Sequence, residues 1–277
     1  MNNNITRRFM AVSLLFSVVL ITLLPMAQAG EELKLGGSGS CLGPMRLLAE
    51  QFQKTHPDVR ITVVPSLGSS GGIKAVAAGA LDIGLSGRPL KEEERRLGVT
   101  AIEYGRTPFV IATGASNATS SISIEQLAQM YAGKLTVWPD GKRLRLVLRP
   151  ASESDNDILK GMSPAMNTAV SYALGREGMT MALTDQDSAD ALEKIPGAVS
   201  NSTLALILSE RRPLKALALN AVTPSAEAIA DGVYPYYKTM FMVMGSKTSQ
   251  LARAFIGFVR SPEGRNILTQ NGHWVVE

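Results

Sequence analysis

The sequence predicts an α/β protein, and three observations support this prediction. Segments with helical and with strand-like spacing of apolar residues alternate along most of the 277 residues. Apolar residues make up 45% of the chain and charged residues 19%, a balance typical of a soluble protein with a buried core. Loops rich in glycine and serine follow several strand-like segments, as expected where strands of a mostly parallel sheet lead into helices.

The N-terminal segment has the pattern of a secretory signal. Arg7 and Arg8 precede an apolar run over residues 9–24, and Ala27-Gln28-Ala29 matches the small-residue pattern of a cleavage site. We therefore expect residues 1–29 to be a cleaved signal peptide and the mature protein to be periplasmic.

Two other interpretations of this segment were weighed. A twin-arginine signal is disfavoured because Phe9 follows the arginine pair directly, where that motif has a spacer residue. An uncleaved membrane anchor is disfavoured because an apolar run of about 16 residues is short for a membrane span.

The composition of the mature chain limits its partners. The 28 lysines and arginines include the two in the signal segment, which leaves 26 basic residues against 24 acidic ones, so nothing indicates nucleic-acid binding. Cys41 is the single cysteine of the sequence and cannot form an intramolecular disulfide. The roughly 250 residues that remain are enough for two modest lobes.

The order of predicted elements follows from the apolar spacing and the turn residues. The first part has predicted strands at 33–35, 59–63 and 81–85, and predicted helices around 45–52, after Gly71-Gly72 and at 91–97. The later part has predicted strands at 107–113, 144–148, 204–208 and 214–219, helices at 124–131 and 185–194, a buried segment at 237–243, and a last helix that begins at Ser261-Pro262.

Three loops follow predicted strands and are rich in small or hydroxyl residues: 36–41, 68–72 and 151–155. Glycine lets the backbone approach a ligand closely, serine adds hydroxyl donors, and the free amides of a helix start attract negative charge. In open α/β sheets, ligands bind where such loops meet. The three loops together therefore predict an oxyanion-binding site.

Motifs spread over nearly all of the mature chain resemble those of the phosphate-binding proteins of ABC importers, within the type 2 periplasmic solute-binding superfamily. Each motif is short, and their order and spacing together make the resemblance specific. They are Gly68-Ser69-Ser70-Gly71-Gly72, Ile124-Glu125-Gln126-Leu127, Tyr131-Ala132-Gly133-Lys134, Trp138, Pro196-Gly197-Ala198, residues 214–220, Asp231-Gly232-Val233-Tyr234-Pro235 and residues 255–264.

The resemblance implies a two-lobed fold with mostly parallel sheets and a two-strand hinge. Lobe I would comprise residues 30–108 and 228–277 and lobe II residues 109–227, with the crossings near Phe109 and Glu227. Proteins of this family catalyse no reaction; they close on a small oxyanion, with phosphate favoured here, and deliver it to a membrane ABC permease. We expect a monomer without cofactor or metal.

The resemblance also implies which residues bind the ligand. A first-loop hydroxyl donor falls on Ser40 or Cys41, the second-loop serine falls on Ser69, with Ser70 and Gly71 beside it, and the arginine that pairs with the anion falls on Arg149. A guanidinium suits this role because it can meet two oxygens of an oxyanion at once.

The sequence departs from the family at two loops. Gly87 stands where the family has an aspartate that accepts the proton of hydrogen phosphate, and Arg88 follows it. Glu153-Ser154-Asp155 replaces a neutral Ser-Gly-Thr run. Two accounts stay open: Glu153 or Asp155 takes the phosphate proton while Arg88 and Arg149 hold the charge, or Arg88 pairs with Glu153 or Asp155 across the cleft and the ligand differs.

Several of these residues also have purely structural interpretations. Ser154 or Asp155 could cap a helix, Arg88 could be a solvated loop residue, and Cys41 could fill the core.

Two other functions were weighed. The same fold could act as a ligand sensor or a partner-docking protein. A secreted hydrolase with Cys41 or a loop serine as nucleophile is disfavoured, because His56 and His273 are the only imidazoles and neither lies in a nucleophile-elbow context.

Overall fold

The computed structural model describes residues 31–275, so the predicted signal segment lies outside the described residues. The strands are β1 (Glu31–Gly37), β2 (Val59–Val63), β3 (Ile83–Ser86), β4 (Thr100–Gly114), β5 (Ser121–Ile122), β6 (Arg145–Leu148), β7 (Thr180–Met181), β8 (Ala198–Thr203), β9 (Leu214–Ala216), β10 (Ala218–Leu219) and β11 (Tyr237–Met244). The helices are α1 (Gly39–Thr55), α2 (Gly68–Ala77), α3 (Glu92–Arg95), α4 (Ile124–Tyr131), α5 (Asp155–Gly161), α6 (Pro164–Leu174), α7 (Asp185–Lys194), α8 (Leu204–Ser209), α9 (Ala226–Ala230), α10 (Gln250–Val259) and α11 (Pro262–Gln270).

A nine-stranded sheet organises the described chain, with strand order β2-β1-β3-β11-β4-β8-β6-β7 and β9 paired to β4. The pairs at both ends of the sheet are parallel, whereas β11 and β4 run antiparallel to their neighbours at the centre. The predicted α/β fold is therefore confirmed.

Strand β4 connects the two ends of this sheet. Its first half, from Thr100, pairs with β11, and its second half, from Phe109, pairs with β8. Glu227, where the second crossing was expected, lies in helix α9 rather than in a strand, and the chain rejoins the sheet only at Tyr237.

Two large apolar cores lie on either side of the point at which β4 stops pairing with β11 and begins to pair with β8. One is built from residues between 33 and 104 and between 240 and 268, which are both ends of the described chain. The other is built from residues between 109 and 234. The lobe boundaries stated above stay a prediction.

The first two helices begin earlier than the sequence indicated. Helix α1 begins at Gly39 and helix α2 at Gly68, so the serines expected in loops lie in the first turns of helices. Gly72 allows α2 to pack closely on the sheet, because a Cβ at Gly72 would lie 2.6 Å from the Cα of Gly37.

The strand predicted at 204–208 is wrong, because this segment is helix α8. The hydroxyl of Thr203 accepts a hydrogen bond from the amide of Leu206 and caps the helix. A short apolar run is compatible with a buried strand and with a buried helix. Here the hydrogen bond to the Thr203 hydroxyl favours the helix, because it satisfies one of the amides that have no partner in the first turn.

Within residues 31–275, no helix combines the length and the apolar character needed to cross a membrane.

Candidate functional site

The candidate site lies where β1, β3 and β6 end and where helices α1, α2, α5 and α7 begin. Strand ends and helix starts bring amide donors, hydroxyls and short charged side chains to one place. Five charged side chains form its centre, and we call them the charged cluster: Arg149, Glu153, Asp155, Asp185 and Lys238.

Arg149 is the first residue after β6, and only 3% of its side chain is exposed. One Nη donates to the carbonyl of Ala182 at 3.0 Å, and the other lies 3.5 Å from Glu153 and 3.8 Å from Asp185. Its Nε is buried and has no hydrogen-bond partner among the described residues. The guanidinium therefore keeps a donor for a further acceptor.

Asp185 is the first residue of helix α7 and contacts the start of helix α1. Its carboxylate accepts a hydrogen bond from the Ser40 hydroxyl at 3.1 Å. Burial alone would raise the pKa of Asp185, but the charges of Lys238 and Arg149 and the hydroxyl and amide of Ser40 hold the pKa below its usual value. Asp185 therefore remains ionised at neutral pH.

Lys238 forms a buried ion pair with Asp155. Lys238 stands in the otherwise apolar strand β11, and its ammonium donates to one carboxylate oxygen of Asp155 while the amide of Asn201 donates to the other at 2.7 Å. Burial opposes the charged ammonium, but Asp155 and Asp185 outweigh this effect and raise the pKa of Lys238 to about 12.

Among the three carboxylates of the charged cluster, Glu153 has its negative charge least well balanced by cations and hydrogen-bond donors. Its side chain is 28% exposed, and its nearest cation is Arg149 at 3.5 Å. Burial raises its pKa despite the attraction of Arg149. Two cations and three carboxylates give the charged cluster a formal charge of −1, so a ligand that donates a proton fits better than a fully ionised dianion.

Ser154 and Asp155 do not cap helix α5 with their side chains. Ser154 occupies the N-cap position, but its hydroxyl makes no capping hydrogen bond. Both carboxylate oxygens of Asp155 are used by Lys238 and Asn201. The helix-capping interpretation is therefore wrong for both residues.

The loop after β3 contacts the first turn of helix α2. The amide of Gly87 donates to the Ser69 hydroxyl at 3.1 Å, and an Nη of Arg88 donates to the Ser70 hydroxyl at 2.8 Å. A Cβ at Gly87 would lie 2.9 Å from Cε of Lys238, so the ammonium side chain uses the space that a larger residue would fill. A Cβ at Gly71, in the same turn of α2, would lie 2.9 Å from the Cβ of Leu67, so this position also has no room for a side chain.

Arg88 pairs with Glu94 and not with the charged cluster. The two side chains make bidentate hydrogen bonds of 2.6 and 2.8 Å. The hydrogen bonds from Arg88 lower the pKa of Glu94 to about 2 despite its burial. Of the two accounts left open above, the one in which Arg88 pairs with Glu153 or Asp155 is therefore wrong, because Arg88 pairs with Glu94 and Lys238 supplies the cation for Asp155.

Cys41 lies in the core formed by the chain ends, close enough to Lys238 and Asp185 of the charged cluster for their charges to act on its thiol. Its Sγ is 3.5 Å from Sδ of Met240, and burial raises the pKa of the thiol to about 11. The thiol is thus neutral at physiological pH, as is usual for a buried cysteine that fills a core.

The two histidines of the described chain are used elsewhere. The ring of His56 stacks on Phe52, and Nδ1 of the buried His273 lies against the carbonyl of Leu268. Burial lowers the pKa of His273 to about 4. Over residues 31–275, no group of three or more histidine, cysteine or acidic side chains is arranged to hold a metal ion.

Sequence reasoning missed Asp185, Lys238 and Asn201. Lys238 carried a usable signal, since one lysine interrupts a strand of aromatic and apolar residues. Asp185 carried none, because an aspartate at a helix start is ordinary in many proteins. Asn201 was missed because no strand was predicted at 198–203.

The chain is similar to known proteins in sequence and in fold. The "Phosphate-binding protein PstS" of Bacillus subtilis is 27% identical over 258 residues, covering 89% of this chain and 81% of that protein. "Protein SphX" of Synechococcus elongatus is 27% identical over 282 residues, covering 92% and 82%. A substrate-binding protein from Clostridium perfringens, solved with bound phosphate, superposes with a TM-score of 0.75 at 21% identity, covering 89% of this chain and all of that one.

A family model gives the assignment. The model described as "PBP superfamily domain" matches residues 25–263, which is most of the chain. The protein shares the two-lobed fold of solved structures such as that from Clostridium perfringens. The chain therefore belongs to the PBP superfamily domain family.

Proposed function

We propose that this protein is a periplasmic solute-binding protein that captures phosphate between two lobes and delivers it to an ABC permease. The named relatives from Bacillus and the phosphate-bound Clostridium structure support a phosphate ligand. The signal pattern at residues 1–29 supports export. The protein would act as a monomer that binds and releases its ligand without chemical change.

One observation carries this proposal: Arg149 is almost fully buried, and its Nε has no hydrogen-bond partner within residues 31–275. Burying a guanidinium is costly unless its donors are used, so such a donor is expected to serve a ligand. A tetrahedral oxyanion can accept two hydrogen bonds from one guanidinium.

Neutral donors would complete the anion site. The hydroxyls of Ser69 and Ser70 each accept one hydrogen bond and keep a proton to donate. Ser154 has a half-buried hydroxyl without a capping partner. The amides at the start of helix α1 add further donors. The hydroxyl of Ser40 donates to Asp185, so it would serve the ligand only once that contact is broken.

Glu153 would be the group that distinguishes phosphate from sulfate. Because Asp155 is already satisfied by Lys238 and Asn201, Glu153 is the better candidate for accepting the proton of hydrogen phosphate. Its raised pKa agrees with a carboxylate that lacks full compensation. Sulfate has no proton to offer at neutral pH and would meet an unpaired carboxylate.

Isothermal titration calorimetry of the ligand-stripped mature protein tests the proposal. Phosphate should bind, sulfate should bind much more weakly, and Arg149→Ala should weaken phosphate binding by at least about 100-fold, because a buried charged partner is lost. Arg145→Ala is the matched control, since Arg145 is an exposed arginine of strand β6, which Arg149 directly follows. No binding of phosphate by the wild type, or equal binding by the Arg149 variant, would refute the proposal.

A ligand sensor or docking protein with another ligand is the second candidate. The observation that favours it is that the protein's own Lys238–Asp155 pair already neutralises two charges of the cluster. Under this alternative, the titration would show no binding of phosphate or sulfate by the folded wild type.

A further inference from the structure

Asp185 contacts the same groups that the proposed oxyanion would use. Its carboxylate accepts from the Ser40 hydroxyl at 3.1 Å and lies 3.8 Å from the guanidinium of Arg149. It also packs tightly against the first residue of helix α1, since a Cβ at Gly39 would lie 2.6 Å from Oδ2. A carboxylate thus lies against the start of helix α1, where an anion is favoured by free amides and the helix dipole.

We propose that Asp185 is an internal competitor of the ligand, and that phosphate binds by displacing its carboxylate from Ser40 and Arg149. This inference rests on the proposed function. It makes Asp185 a residue that sets the affinity of the anion site.

The contacts of Arg149 support this competition. Its partners are one carbonyl and two carboxylates, and the carboxylates lie at 3.5 and 3.8 Å, both longer than a good charge-assisted hydrogen bond. Its Nε has no partner in the described part of the chain. The guanidinium is thus neutralised without being fully hydrogen-bonded. An oxyanion in the place of the Asp185 carboxylate would accept a hydrogen bond from Nε of Arg149 and another from the Ser40 hydroxyl.

Displacement would also couple ligand binding to the contact between helices α1 and α7. Helix α1 precedes the predicted crossing at Phe109 and helix α7 follows it, so the bond from Ser40 to Asp185 joins the two predicted lobes. Gln186 adds a second bond across the same contact, since its side-chain amide donates to the carbonyl of Gly39 at 3.0 Å. These two contacts hold the starts of helices α1 and α7 together.

Asp185→Asn is the direct test, because the substitution keeps the size of the side chain and removes its charge. Asp187→Asn is the matched control: it removes the same charge from the same helical turn at an exposed position. Phosphate affinity, measured by calorimetry, should increase by about 10-fold or more in Asp185→Asn, since a like charge next to the bound anion is removed. The control should bind as the wild type does.

Thermal unfolding separates competition from a merely structural role. Without phosphate, Asp185→Asn should melt below the wild type because the contacts with Ser40 and Arg149 weaken. With saturating phosphate, its increase in melting temperature should exceed that of the wild type, because the stabilisation follows the affinity. Asp185→Ala serves as a second variant if the asparagine variant does not fold.

The outcomes separate this inference from the proposed function. If the wild type binds phosphate and both Asp185 variants bind it equally or more weakly, the competitor role is refuted while phosphate capture stands. If only the Asp185 variants bind phosphate, competition is supported and capture by the wild type is refuted. If neither binds phosphate, both proposals are refuted.

Discussion

At the scale of single residues, charge compensation decides what each side chain of the site can do. Asp155 has both oxygens occupied, and Arg88 is committed to Glu94. Arg149 and Glu153 are the members of the charged cluster whose hydrogen-bonding capacity is least used. The two residues that best fit a ligand are therefore those that the protein satisfies least.

Glu153→Gln should change how stability depends on pH. Because burial raises the pKa of Glu153 in the folded protein, the unfolded chain loses this proton first as the pH rises. The contribution of Glu153 to the stability of the wild type should therefore fall from about pH 4 upward, until the folded-state pKa of Glu153 is passed. The variant lacks this loss, so its stability relative to the wild type should grow over that interval and then level off.

Chemical denaturation at a series of pH values measures this effect, with Asp157→Asn as an exposed control on helix α5, which begins two residues after Glu153. A stability difference between Glu153→Gln and the wild type that stays constant from about pH 4 to pH 7 would contradict the prediction.

Lys238→Met should lower the free energy of unfolding by about 3 kcal/mol, because it leaves the buried Asp155 without a cation. Asp155→Asn should be costly for the same reason, and the double variant should cost clearly less than the sum of the two. Lys34→Met is the control: its ion pair with Glu32 is about half exposed and should contribute less than about 1 kcal/mol. Additive single effects would show that the pair is not coupled.

The site was only partly predictable from the sequence at this scale. Arg149, Glu153 and Asp155 follow one strand, so their proximity could be inferred from local spacing. The contact between Ser40 and Asp185 joins residues 145 positions apart, and that between Lys238 and Asp155 joins residues 83 positions apart. Contacts of this kind depend on the tertiary packing, which no local pattern reports.

At the scale of elements, helix caps explain both the successes and the errors. Ser261 was expected to cap the last helix, and its hydroxyl accepts from the amide of Gly264 at 3.2 Å. The same Ser-Pro pattern stands at Ser163-Pro164, where helix α6 begins and the hydroxyl of Ser163 accepts a hydrogen bond from the amide of Met166. At 204–208 the run of apolar residues led to the prediction of a strand, whereas Thr203 caps a helix there.

Ser261→Ala should lower the free energy of unfolding by about 1 kcal/mol, because one amide at the start of helix α11 loses its acceptor. Ser246→Ala, at an exposed loop position, should change it by less than about 0.5 kcal/mol. Urea denaturation compares the two variants. Equal effects would show that the Ser261 cap contributes nothing to stability.

At the scale of the whole molecule, the alternation of helices and strands predicted the fold class, and the order of strands could not be inferred from it. The central strands β11 and β4 are antiparallel to their neighbours, and β4 changes partners at Phe109. This change brings the ends of the chain into one core and its middle into another. The charged cluster draws on both parts, since Lys238 belongs to β11 and Arg149 follows β6.

The central claim is that the cluster around Arg149 is the place where the anion binds. A crystal structure of the protein grown with phosphate as the only oxyanion tests this most directly. We predict a phosphate within hydrogen-bond distance of the Arg149 guanidinium and the Ser40 hydroxyl, with the carboxylate of Asp185 moved away from Ser40. A phosphate bound elsewhere, or a charged cluster unchanged and without phosphate at saturating concentration, would contradict the account.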